Sequence, residues 1–68
     1  MDYFDYKAVA VEAKIPADKL DELIHLLRSE FPDDPMMLDL HVLRTCLAIR
    51  EGRLTLDEAL AGAPVLSA

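Results

Sequence analysis

Apolar side chains recur through the middle of this chain at helical spacing. Between Pro16 and Phe31, at about 100° per residue, Ala17, Leu20, Leu23, Ile24, Leu26, Leu27 and Phe31 fill one half of a cylinder. Asp18, Asp21, Glu22, His25, Arg28 and Ser29 fill the other half. Pro16 suits the first helical position, where its missing N–H would have had no partner, and the early acids complement the helix dipole. Pro32 stops the run.

A second helix is expected to start at Asp34, as N-cap, and Pro35, and to reach Arg50 or Glu51 with Gly52 as its C-terminal cap. Its apolar positions form two stripes, Met36-Leu40-Leu43-Leu47 and Leu38-Val42-Cys46-Ile49, which together cover roughly 200° of the circumference. Only a strip with His41, Arg44, Thr45 and Glu51 reads as polar. Such a helix belongs at the centre of a fold. Downstream, Thr55-Leu56-Asp57-Glu58 spells a capping box, flanked by Leu54 and Ala59 as a hydrophobic staple. Gly62 then closes a helix of about two turns, and Pro64 blocks its extension.

Residues 2–15 read two ways. As a helix, Phe4, Ala8, Val11 and Ile15 make one stripe, with Tyr6, Val9 and Ala13 opposite. As a strand, Val9, Val11, Ala13 and Ile15 alternate with Ala8, Ala10, Glu12 and Lys14. Alanine content and the long stripe favour the helix. Ile15 is extended in either case because it precedes a proline. The expected fold is all-α: a bundle of three helices plus a short fourth, with residues 35–51 central, in one domain over residues 1–62 and a frayed tail at 63–68.

Composition narrows the function. Thirteen acids against seven bases leave a formal charge of −6, without the long-range attraction to phosphate that drives non-specific nucleic-acid binding. There is no polybasic patch for a membrane, no apolar run long enough to span one, and no leader-like start, so the expected location is cytoplasmic. The single cysteine fits a reducing compartment. With 68 residues and no possible internal disulfide, a stable core is hard to build from one chain.

Two local patterns carry resemblances. Val9-Ala10, Ala13, Ile15 and Leu20 resemble the helix-turn-helix pattern, with Lys14 where that pattern has its turn glycine. The resemblance implies that residues 16–31 enter the major groove, yet that helix carries Asp18, Asp21 and Glu22, which repel phosphate. Read as strand then helix, Val11, Ala13, Ile15 and Pro16 are similar to the ribbon-helix-helix repressors, whose outward strand residues read DNA. Here those would be Ala8, Ala10, Glu12 and Lys14.

His25, His41 and Cys46 are metal-ligating types. The helical wheels turn both imidazoles away from the apolar faces and place Cys46 within one, so no metal or cofactor is expected. Two solvated histidines and one buried thiol are the expectation. Asp34 is accounted for by capping, and no glycine-centred calcium loop, phosphate loop or nucleophile elbow occurs. An enzyme is not expected. Apolar excess on the first and central helices, together with the small size, points instead to a non-enzymatic protein-interaction module that forms a homodimer. Its candidate interface is Tyr3, Phe4, Tyr6, Val9, Met36, Met37, Leu38, Val42 and Ile49. The adaptable methionines and the aromatic cluster suit such a surface. The alternative is a DNA-binding regulator of helix-turn-helix or ribbon-helix-helix type.

Overall fold

The computed structural model describes residues 4–61 as four helices with no strand among them: α1 (Tyr6–Glu12), α2 (Ala17–Arg28), α3 (Pro35–Arg50) and α4 (Leu56–Leu60). Tyr3, the helix-closing role of Gly62 and the tail at 63–68 lie outside the described residues. The fold is the expected all-α bundle around a central α3, on which α1 and α2 both pack, while α4 packs on α2.

Local chemistry sets the boundaries. Asp34 caps α3 by accepting a hydrogen bond from the Met37 amide at 3.1 Å, with Pro35 as the first helical residue. At the far end Gly52, at φ +80°, reverses the chain: its amide donates to the Ile49 carbonyl and the Arg53 amide to that of Ala48. This is the Schellman closure, which satisfies carbonyls the helix leaves unpaired. The capping box of α4 is complete, with the Glu58 amide donating to Thr55 Oγ1 (3.1 Å) and the Thr55 amide to Glu58 Oε1 (3.0 Å). Leu54 and Ala59, on either side of that cap, are both buried.

Both boundaries of α2 shift. Pro16 is the N-cap of α2 rather than its first helical residue, and α2 ends at Arg28 instead of running to Phe31. Amides 29 to 31 bond back three residues, tightening the exit before Pro32. α1 is shorter than residues 2–15, since it too ends in a Schellman closure. The Lys14 amide donates to the Val11 carbonyl and the Ile15 amide to that of Ala10, both at 3.0 Å. Lys14 provides the left-handed residue at φ +61°.

The buried face of α1 also corrects the expectation. Tyr6 and Ala10 are buried and Val9 and Ala13 pack against the core, whereas Val11 is 76% exposed and Ala8 faces solvent. Of the expected Phe4-Ala8-Val11-Ile15 stripe, only Ile15 is buried, because it lies beyond the turn that folds the chain back. The core combines these residues with Leu23 and Leu27 of α2, the inner side of α3, Leu54 and Ala59.

Candidate functional site

Most of the residues singled out for chemistry or contact lie along α3, whose two flanks differ. The inner flank holds Leu38, His41, Val42, Thr45, Cys46 and Ala48, all buried. At about 100° per residue, Met36, Leu40, Leu43 and Leu47 fall on the opposite side. There Met36 is 51% exposed, and the three leucines are only half-buried, with Leu43 touching the edge of the core.

This orientation overturns the reading of His41 as solvated and turns Thr45, expected on the polar strip, into the core. His41 is buried with its ring stacked on Phe31, centroids 4.4 Å apart and planes at 29°. Its Nδ1 lies 2.8 Å from the Met37 carbonyl oxygen, which can only accept, so Nδ1 carries the proton. Thr45 Oγ1 donates to the His41 carbonyl at 2.8 Å. Each polar group finds a partner one turn back on its own helix, which removes most of the cost of burial. The sequence places these residues on the less apolar strip, and no pattern within α3 announces the reversal. The contact that accompanies it, the Phe31 stack, joins two elements and is not visible in a helical wheel.

The candidate ligands do not converge. His25 is exposed on α2 and His41 sits in the core, and no group of three metal-ligating side chains occurs among the described residues. Cys46 is fully enclosed, and burial pushes its thiol up from 9.0 to about 11. A thiol held protonated is a poor nucleophile at neutral pH.

The candidate interface is divided. Tyr6, Leu38 and Val42 are buried in the chain's own core, so burial leaves them unavailable to a partner in this conformation. Phe4, Val9, Met37 and Ile49 are half-buried. Among the described residues of the set, only Met36 is openly exposed. Leu40, Leu43 and Leu47 were not in that set, though the first stripe of α3 contains them.

The segment that resembles a helix-turn-helix motif does have a tight turn, with Lys14 left-handed where the motif has glycine. The outward side of α2 nevertheless carries exposed Asp18, Asp21 and Glu22. Residues 4–15 hold no strand, so the ribbon-helix-helix resemblance loses the element that would read DNA. Comparison with known protein families, with curated proteins and with solved structures finds no match.

Proposed function

We propose that this domain is a non-enzymatic protein-interaction module, a small acidic adaptor or regulator that associates with a second copy of itself through the outer flank of α3. One observation carries the reading: the core closes on the inner flank, and on the opposite side Met36 is exposed while Leu40, Leu43 and Leu47 are only partly buried, Leu43 at the edge of the core. Asp39 on one side and Arg44 and Glu51 on the other give that stripe a charged rim of mixed sign, the usual anatomy of a contact patch. A second subunit also adds buried apolar area that so short a chain lacks. The non-enzymatic character is supported by the protonated, enclosed Cys46 and by His41 held between Phe31 and Met37, neither poised for proton transfer to a substrate.

Light scattering across the micromolar range tests the proposal. A dimer is expected, and replacing Leu40 and Leu47 together by Gln should return it to monomer with unchanged helical circular dichroism. A 7.6 kDa species at every concentration overturns self-association. The second reading, DNA binding through α1 and α2, is favoured by the left-handed turn at Lys14 and opposed by the acids on α2. Salt-dependent binding to generic duplex DNA would establish it in place of the first.

A further inference from the structure

We draw no further inference here: the strongest candidate, the apolar outer flank of α3 formed by Met36, Leu40, Leu43 and Leu47, already carries the proposed function, and nothing in the structure shows what covers it.

Discussion

The two flanks of α3 are made by the same sixteen residues and meet opposite fates. By hydropathy the outer flank, three leucines and a methionine, is the better candidate for the interior. The chain instead buries the flank with a histidine, a threonine, a cysteine and an alanine. Size and local satisfaction decide it. Val42, Thr45, Cys46 and Ala48 are small and buried, and side chains of that size let a neighbouring helix pack close. His41 and Thr45, the polar residues of that flank, arrive with hydrogen bonds already made inside the helix. A helix that is apolar over most of its girth is therefore oriented by what fits against it, and its most apolar stripe is the less deeply buried one.

The contrast breaks most visibly under truncation. Leu38→Ala on the inner flank should cost about 2–5 kcal/mol, whereas Leu47→Ala on the outer flank should cost about 1 kcal/mol or less in the monomer. Urea denaturation of both variants measures the difference, and equal losses would erase the distinction between flanks.

Alkaline pH sharpens the contrast next. The Cys46 thiol belongs at 9.0 in a solvated chain and at about 11 in the fold. The unfolded chain therefore loses this proton first. The contribution to stability is complete below pH 9 and disappears as pH climbs towards 11, by up to about 3 kcal/mol. Cys46→Ala removes that part of the pH slope. Identical slopes for the two proteins between pH 9 and 11 would place the thiol outside the inner flank's dry interior.

α1 covers part of the inner flank, and its closing turn carries strain that α3 avoids by using Gly52. Lys14→Gly relieves the left-handed backbone and should raise stability by about 1 kcal/mol. A fall in melting temperature would show that Lys14 contributes more through its side chain than it costs through its backbone.

The smallest effect belongs to Thr45→Val. It keeps the shape of the inner flank and removes one hydrogen bond to a carbonyl that the helix ladder already serves, so the change should stay within about 1 kcal/mol. A loss of several kcal/mol would mean that the hydroxyl orients His41, and the Phe31 stack should then weaken with it.

Much of this fold was legible because its punctuation is local. Asp34-Pro35, Gly52 and the Thr55–Glu58 box act within a few residues, and the structure uses them where the sequence places them, whereas α2 ends at Arg28, before Pro32. α2 was legible for another reason: its polar half leaves one direction to face, and Leu23 and Leu27 are buried as expected, although Ala17 and Leu26 at the edges of that apolar half are exposed. α1 and α3 lack that asymmetry. With apolar residues on two sides of α1, the choice between Val11 and Ala10 rests on which side fits α3, a contact no local pattern encodes. The same ambiguity turned His41 and Thr45 inward, and it moved the candidate contact surface from Leu38 and Val42 to the neighbouring leucine stripe.

Full enclosure makes Cys46 a built-in clock for breathing of the domain. A sulfhydryl reagent at neutral pH reaches it only in the moments when the helices part. When reclosing outpaces the reaction, the trapping rate divided by that of a free thiol gives the population of the parted form, and hence its free energy. That quantity is read from the native protein without denaturant or an engineered cysteine. If a tighter assembly slows the clock, the same sulfur also reports on association.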